Sequence, residues 1–511
     1  MNKLTRAWQA ITSGLARFKP NKSHWLALLL GAVSVSAFAP LAIAPVMLLT
    51  LAGLFVLWQK SPTAKDGAKL GLYFGLGFFG VGLSWLFKSI YVYSGVVLPI
   101  AVLLTLSWVL YHALFLTAAG YFAVKLRGSR TLAMLGLFPV VWVLFELLRG
   151  TLFGGYPFLL IGVSHLHSWL DGYAPIFGVW GVSWVVAVSA GALALLYLKR
   201  SWVLSSLVIC LLWSSGGLLQ QIQWVSPVAK PVDIALVQGN VPQQLKWTTQ
   251  ALVPSLERYT QLTKANLDAD VIVWPETAVA NYLAVVEKGA LQTFIRDAQL
   301  FKKDILVGVV DGDPNGDAVY NALVNLGNLE QRYHKRHLVP FSEYFPFDAF
   351  FAPIAKLFDI PFSFFSHGDA SQMPLQIGNH QVGLSICFEM AFGEELARQL
   401  PVAEYFITVS NDGWFAHTLE PHQQLQDVQM RALELGREIA RATNTGFTVI
   451  VGVDGQIKAQ VAPYQLAVLR GEIQPYQGLT PYAQWQWLPI LLLIGLILLF
   501  TLGGRLLLRR H

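Results

Sequence analysis

The chain has 511 residues, of which 54% are apolar and only 13% are Asp, Glu, Lys or Arg, whereas soluble globular domains contain about 25% charged residues. This composition excludes a wholly soluble, disordered or fibrous protein. The formal net charge is +6, yet residues 221–485 contain 18 Lys and Arg against 27 Asp and Glu. An acidic polar region offers no electrostatic footprint for nucleic acid, so we expect no such partner.

Eight apolar stretches in the chain approach or exceed the length that crosses a membrane, which is about 20 mostly apolar residues. They lie at 25–43, 45–59, 70–87, 95–122, 131–148, 173–197, 202–219 and 487–508. The boundary between the first two is the least well defined. The triplet Ala37-Phe38-Ala39 also fits a signal-peptide cleavage site, but Pro40 and the long basic segment before it argue against cleavage.

The distribution of Lys and Arg around these stretches sets the orientation of the predicted membrane domain. With a cytoplasmic N-terminus, the inside segments carry sixteen Lys and Arg residues, against Lys88 and Arg149 in the short outside loops. We therefore expect both termini in the cytoplasm. The predicted domains are transmembrane helices 1 to 7 at 1–220, an extracytoplasmic domain at 221–485, and transmembrane helix 8 with a cytoplasmic tail at 486–511.

From Pro231 onward, short apolar runs alternate with amphipathic stretches, which is typical of one sizeable α/β domain. The predicted strands are 232–237, 271–274, 305–310, 320–326, 382–386, 405–409 and 447–453. The predicted helices are 252–267, 287–300 and 423–442. A segment rich in Phe and Pro, Phe345 to Phe365, interrupts this pattern. It is either a loop that covers the core or a lid that reaches into the lipid interface.

Two charged side chains of this domain follow predicted strands. Glu276 comes directly after a buried strand and Pro275, a position that suits a general base facing a cleft, although a lone strand-end Glu is more often a turn former. Lys335 lies in a strand-to-loop transition, where a fixed ammonium can stabilise an oxyanion. Composition alone favours a solvated basic turn in which Lys335 pairs with Glu343.

A third strand end carries Cys387, which precedes a helix-like segment at 393–400. Dipoles at a helix N-terminus favour the thiolate form of such a residue. A Cys in an apolar strand is, however, more often a small core residue than a nucleophile. A thiol, a carboxylate and an ammonium at three strand ends together make the set that acyl transfer needs.

These three positions resemble the Glu-Lys-Cys triad of the nitrilase superfamily. The matching motifs are Trp-Pro-Glu at 274–276, the segment at 334–343 and Ile-Cys-Phe-Glu at 386–389. The resemblance implies an α/β/β/α sandwich and a Cys-bound acyl intermediate. With its apolar stretches, nearly the whole chain resembles the membrane-embedded branch of that superfamily, the apolipoprotein N-acyltransferase family. Further similar stretches are 237–240, 245–247, 410–415, 430–434 and 478–482.

The resemblance also implies roles for particular residues. The implied triad is Cys387 as nucleophile, Glu276 as general base and Lys335 as oxyanion partner. Glu343 is implied as a supporting carboxylate, and Trp247 and Glu389 as residues that shape the pocket. One departure is Phe388, where the family pattern has Tyr, so any role of that hydroxyl is unfilled and we expect Phe388 to take no part in the chemistry.

The triad requires no cofactor and no metal. His417 and His422 flank Glu420 in an arrangement that invites comparison with a metal site, but the spacing matches no standard helical zinc motif and no Cys joins them. We interpret this stretch as a solvated loop at the surface of the domain.

The function that the resemblance implies is acyl transfer in the bacterial inner membrane, with the catalytic domain in the periplasm. The implied donor is a membrane phospholipid and the implied acceptor is the α-amino group of a diacylglyceryl-cysteine on a lipoprotein or lipopeptide. One alternative is a membrane-tethered amidase that passes the acyl group to water. Another is a transporter or scaffold, against which residues 1–220 offer only three acidic residues and no charge relay.

Overall fold

A computed structural model describes residues 20–199, 201–313, 316, 318–347, 349, 353 and 365–508. The predicted loop or lid at Phe345 to Phe365 therefore lies largely outside the described residues.

Each of the eight predicted apolar stretches overlaps a helix, although the helix in the first stretch, 25–43, ends at Ser34. These helices are Lys22–Ser34, Ala44–Lys60, Ala64–Gly82, Leu98–Leu126, Phe138–Thr151, Ala174–Tyr197, Trp202–Leu219 and Leu488–Leu508. By length and apolar composition, four helical segments of the described chain qualify as membrane spans, and a bent pair, Ala64–Gly82 with Trp85–Tyr93, makes a fifth if it counts as one span. Ala44–Lys60 and Leu488–Thr501 are shorter apolar helices. The structure thus supports a helical membrane domain, with fewer qualifying spans than the eight predicted.

The strands of the polar region form two main sheets. In chain order they are β1 Ser226–Pro227, β2 Val232–Gln238, β3 Val271–Val273, β4 Val279–Tyr282, β5 Asp304–Gly312, β6 Val319–Asn325, β7 Arg332–His334, β8 Leu375–Ile377, β9 His380–Ile386, β10 Tyr405–Ser410, β11 Ile439–Thr443, β12 Thr448–Val451, β13 Ile457–Val461, β14 Ala467–Ile473 and β15 Tyr476–Gln477. The first sheet has the order β14-β2-β3-β5-β6-β7 with β4 beside β5, and the second has the order β13-β12-β11-β10-β9-β8. β1 pairs with β15 separately.

Apolar side chains of the two sheets pack against each other in one buried cluster. Helices Thr249–Lys264 and Gln292–Leu300 cover the outer face of the first sheet. Helices Gly393–Ala397 and Glu420–Leu435 cover the outer face of the second. This layering is the predicted α/β/β/α sandwich.

The predicted helix at 423–442 is wrong in its second half. Gly436 takes a left-handed conformation (φ 62°) and ends the helix at Leu435, which is the usual way that glycine ends helices. The following run, Ile439–Thr443, is a buried strand instead, and it pairs with β10 and β12. Its side chains are buried on both faces, so they lack the alternation that distinguishes a strand from a helix in sequence.

The helix Glu420–Leu435, here termed the docking helix, joins the sandwich to the membrane domain. Side chains along it accept hydrogen bonds from the membrane domain, at Gln423 from Trp85 Nε1 (3.1 Å), at Gln426 from the Ala39 N–H (2.8 Å) and at Glu434 from the Val179 N–H (2.5 Å). Residues three or four apart share one face of a helix, and Gln423 and Gln426 have this spacing. Each of these three buried side chains therefore has a hydrogen-bond partner across the interface, which offsets part of the cost of removing it from water.

The buried carboxyl group of Asp427, also on the docking helix, makes stability depend on pH. Its side chain is 6% exposed, and burial raises its pKa to about 7 in spite of the opposing charge of Arg431. The pKa of an unfolded Asp is about 3.9. Between these two values the folded state binds more protons than the unfolded state, so stability falls as pH rises through this window.

We predict that Asp427→Asn raises the thermal unfolding midpoint at pH 8 and leaves it nearly unchanged at pH 4, because the variant has no carboxyl to ionise. Each pH unit inside the window is worth up to about 1.4 kcal/mol. Thermal unfolding of the purified protein in detergent at both pH values measures the effect. An equal change at the two pH values would contradict this origin.

Candidate active site

The structure brings the three predicted strand-end residues to one edge of the sandwich. Glu276 follows β3 and Lys335 follows β7 in the first sheet, whereas Cys387 follows β9 in the second. β3 is parallel to β2 and β5, and β9 is parallel to β10. The carboxyl ends of parallel strands meet at a common edge, where α/β proteins place their sites.

Lys335 lies between two carboxylates. Its side chain is 1% exposed, and its Nζ is 2.9 Å from Glu343 and 3.6 Å from Oε1 of Glu276. Burial disfavours the ammonium, but the charges of Glu343 and Glu276 outweigh burial and raise the pKa of Lys335 above its usual value. The predicted pairing with Glu343 is confirmed, and the solvated basic turn is wrong. The two carboxylates thus favour the ammonium form of Lys335 inside the site.

The carboxylate of Glu276 is held by two asparagines. Oε1 accepts a hydrogen bond from Asn321 Nδ2 (2.8 Å), and Oε2 accepts one from the Asn411 N–H (2.9 Å). Asn321 also donates to Glu343 (3.2 Å). The backbone of Glu276 packs against Gly308, where a Cβ atom would lie 2.7 Å from the Cα of Glu276. The glycine therefore permits this close approach.

Sequence reasoning missed both asparagines. Asn321 is a polar residue inside the apolar run of β6, and this irregularity was the only signal that it left in the sequence. Asn411 lies in a stretch that resembles the family, but its contact with Glu276 spans 135 residues of chain. The contact depends on how the two sheets stack, and the sequence alone does not show this stacking.

Cys387 sits at the sharp turn between β9 and a short 3-10 turn, Cys387–Ala391. Its backbone is in the left-handed region (φ 54°), a conformation that costs energy in a non-glycine residue and is concentrated at functional sites. Burial and the charge of Glu276 raise the pKa of the thiol, while Lys335 opposes them. The expectation that a helix dipole lowers this pKa is therefore wrong, since a five-residue 3-10 turn follows the strand. The thiol holds its proton at rest and needs a base to remove it.

Glu389 forms hydrogen bonds to both the segment that carries Cys387 and the segment that carries Lys335. Its carboxylate accepts hydrogen bonds from the backbone N–H groups of Ile386 (2.7 Å), Arg336 (2.6 Å) and His337 (3.1 Å) and from the Tyr333 hydroxyl (3.0 Å). Burial raises the pKa of Glu389. These contacts place Glu389 behind the site, and a part in shaping the pocket stays a prediction.

A cavity of about 250 Å³ opens beside the carboxylates. Trp247, Trp414 and Phe365 give it aromatic walls, while Glu276 and Glu343 supply charge. Trp247 is 49% exposed, so it lies at the mouth of the cavity. An apolar opening that leads to a few polar groups is typical of a small-molecule site.

Phe388 connects the site to the membrane domain. Its ring centroid is 6.0 Å from that of Phe158 and 5.7 Å from that of Tyr156, and the side chain is buried in the apolar cluster of the membrane helices. Phe388 thus anchors the turn next to Cys387. That it takes no part in the chemistry stays a prediction.

The stretch around Glu420 differs from its prediction. Glu420 begins the docking helix and is 1% exposed. His422 is half-buried, with its ring 4.8 Å from that of Phe447. The interpretation as a solvated surface loop is therefore wrong for Glu420 and His422, which lie in this helix, whereas His417 is exposed in the turn before it.

The fold and the site define a carbon-nitrogen hydrolase domain attached to a helical membrane domain. A family model for carbon-nitrogen hydrolases matches residues 233–482, and one for the N-terminal domain of apolipoprotein N-acyltransferase matches residues 30–192. Among solved structures, a CN-hydrolase superfamily protein from Xanthomonas campestris is similar at 19% identity and a TM-score of 0.35, covering 48% of this chain and 91% of that one.

Curated relatives share nearly the whole length of the chain. An apolipoprotein N-acyltransferase of Methylococcus capsulatus is 40% identical and one of Nitrosomonas europaea is 37% identical, each over 93% of this chain and 95% of the relative. The chain therefore belongs to the apolipoprotein N-acyltransferase family, which confirms the resemblance stated from its motifs.

We predict that Lys335→Met destabilises the protein by about 3–5 kcal/mol, because it leaves Glu276 and Glu343 buried without their counter-ion. Thermal unfolding of the variant and the parent protein in detergent measures the loss. Lys458→Met is the matched control: Lys458 lies 2.8 Å from Glu438, but its side chain is 39% exposed. Equal losses of stability in the two variants would contradict the prediction that burial of the Lys335 ion pairs makes their loss more costly.

Proposed function

We propose that the chain transfers an acyl group from a membrane phospholipid to the α-amino group of a diacylglyceryl-cysteine at the N-terminus of an apolipoprotein. The observation that carries this proposal is the convergence of Cys387, Glu276 and Lys335 at an edge of the sandwich that is attached to the membrane helices through the docking helix. Both proposed substrates are confined to the lipid surface, where such a site meets them.

In the first half-reaction, Glu276 accepts the thiol proton and the thiolate of Cys387 attacks the ester carbonyl of the phospholipid. The ammonium of Lys335 stabilises the resulting oxyanion, with no need to reorganise during the reaction because two carboxylates already hold it. The carbon-oxygen bond then breaks. The lysophospholipid leaves with the proton from Glu276, and a thioester remains on Cys387.

In the second half-reaction, the neutral α-amine of the acceptor attacks the thioester carbonyl while Glu276 takes up the amine proton. The carbon-sulfur bond breaks and an amide forms. The proton on Glu276 then returns to the sulfur, which restores the resting thiol. Glu343 supports both steps because its contact with Lys335 keeps the ammonium in place. Trp247, at the mouth of the cavity, is placed to contact the incoming lipid.

We propose the same membrane arrangement as in the sequence analysis: seven spans within 1–220, the catalytic domain at 221–485 in the periplasm, and an eighth span in 486–511, all in the bacterial inner membrane. Support comes from the excess of Lys and Arg in the predicted cytoplasmic segments and from the helix that overlaps each apolar stretch.

We predict that Cys387→Ala abolishes acylation of a diacylglyceryl lipopeptide by the purified protein in phospholipid-detergent micelles. Cys387→Ser retains at most a trace, because a hydroxyl is the poorer nucleophile near neutral pH. Cys210→Ala is the control, since Cys210 lies in the helix Trp202–Leu219, away from the triad. The mass increment on the peptide is the readout.

Full activity of Cys387→Ala would remove Cys387 from the mechanism. Release of free fatty acid without acylation of the peptide would instead favour the amidase alternative, in which water is the acceptor.

A further inference from the structure

A buried polar cluster on the docking helix reaches the sulfur of Cys387. Gln424 is 7% exposed, and its Nε2 lies 3.9 Å from Cys387 Sγ and 2.5 Å from Oε1 of Glu420. The triad chemistry above assigns no task to these two side chains. The position of Gln424 beside the sulfur suggests a task in the reaction.

The orientation of the Gln424 amide is fixed by its other partner. Arg441 Nη2 donates to Gln424 Oε1 at 2.7 Å, and because a guanidinium only donates, the amide oxygen must face Arg441. The NH₂ group then faces the sulfur. Arg441 is held in turn by Asp412 at 2.9 Å, and both side chains are 2% exposed or less. Exchanging the two ends of the amide would place its NH₂ group against the guanidinium of Arg441, so that two donors would face each other.

From this geometry we propose that Gln424 is a further catalytic residue, whose N–H donates to the Cys387 sulfur and stabilises the thiolate each time it forms. This inference rests on the proposed role of Cys387 as nucleophile. A hydrogen bond to a charged sulfur is stronger than one to a neutral thiol. The contact therefore lowers the energy of the thiolate both when Glu276 removes the proton and when the thioester breaks.

Glu420 directs the second N–H of the same amide. By accepting one hydrogen of the NH₂ group, it leaves the other for the sulfur. Burial and the nearby Asp412 raise the pKa of Glu420 well above its usual value, and its Oε2 has no hydrogen-bond partner among the described residues. The raised pKa favours the uncharged form of Glu420, and this form orients the amide with less negative charge beside the thiolate than a carboxylate would bring.

The test is the rate at which iodoacetamide alkylates Cys387 as a function of pH, followed by intact mass in full-length Cys210→Ala protein, where Cys387 is the only thiol. Gln424→Glu keeps the length of the side chain and its bond from Arg441 but presents an oxygen to the sulfur. We expect its alkylation at pH 7.5 to fall about tenfold or more and its pH midpoint to rise, as loss of a charge-assisted hydrogen bond requires.

Gln424→Met provides a second variant without any charge change, and we expect a smaller loss of about three- to tenfold. His422→Gln, on the same helix and away from the sulfur, is the matched control and should react like the parent. The thermal unfolding midpoint of each variant is measured alongside.

Alkylation rates of Gln424→Glu and Gln424→Met within twofold of the control, in protein with the parent's unfolding midpoint, would overturn the proposal. If one variant fails to fold, the other decides. Alkylation reports on the sulfur alone and needs no lipid substrate, so its result is independent of whether acyl transfer by Cys387 is upheld.

Discussion

The ion pairs of Lys335 with Glu343 and Glu276 are the contacts on which the site depends. A buried ammonium is tolerated only where its desolvation is offset by close opposite charge and good hydrogen bonding. Here Glu276 and Glu343 supply the charge and Glu343 accepts a hydrogen bond from the ammonium, while Asn321 donates to both carboxylates. The same contacts fix the oxyanion partner and the general base relative to each other. Burial and the negative charge of Glu276 raise the pKa of the Cys387 thiol, and the positive charge of Lys335 opposes this rise.

The docking helix couples this chemistry to the membrane. Side chains such as Gln423 and Gln426 bond to the membrane domain, while Gln424 contacts the sulfur of Cys387 and donates to Glu420. Phe388 adds an apolar contact next to the nucleophile. Any displacement of the sandwich relative to the membrane helices would therefore move the surroundings of the sulfur, which gives a physical reason for the burial of this polar helix.

The sequence allowed much of this arrangement to be predicted. The ends of apolar runs predicted that Glu276, Lys335 and Cys387 each follow a strand, whereas their meeting at one edge depends on the order of the strands in the sheets. The burial of Lys335 and Glu420 could not be read, because both are polar residues in polar stretches and their surroundings come from other parts of the chain. The bond between Asn411 and Glu276, which spans 135 residues, is of the same kind. The boundary at Gly436 was missed because a doubly buried strand and a buried helix look alike in sequence.

The formation of a thioester on Cys387 is the claim that the most direct measurement addresses. The purified protein is incubated with a phospholipid in detergent, and its intact mass is recorded before and after neutral hydroxylamine, which cleaves thioesters. An acyl-sized increment that maps to Cys387 and disappears with hydroxylamine is the predicted result. An increment that resists hydroxylamine, or that persists in Cys387→Ala, would contradict acyl transfer through this cysteine.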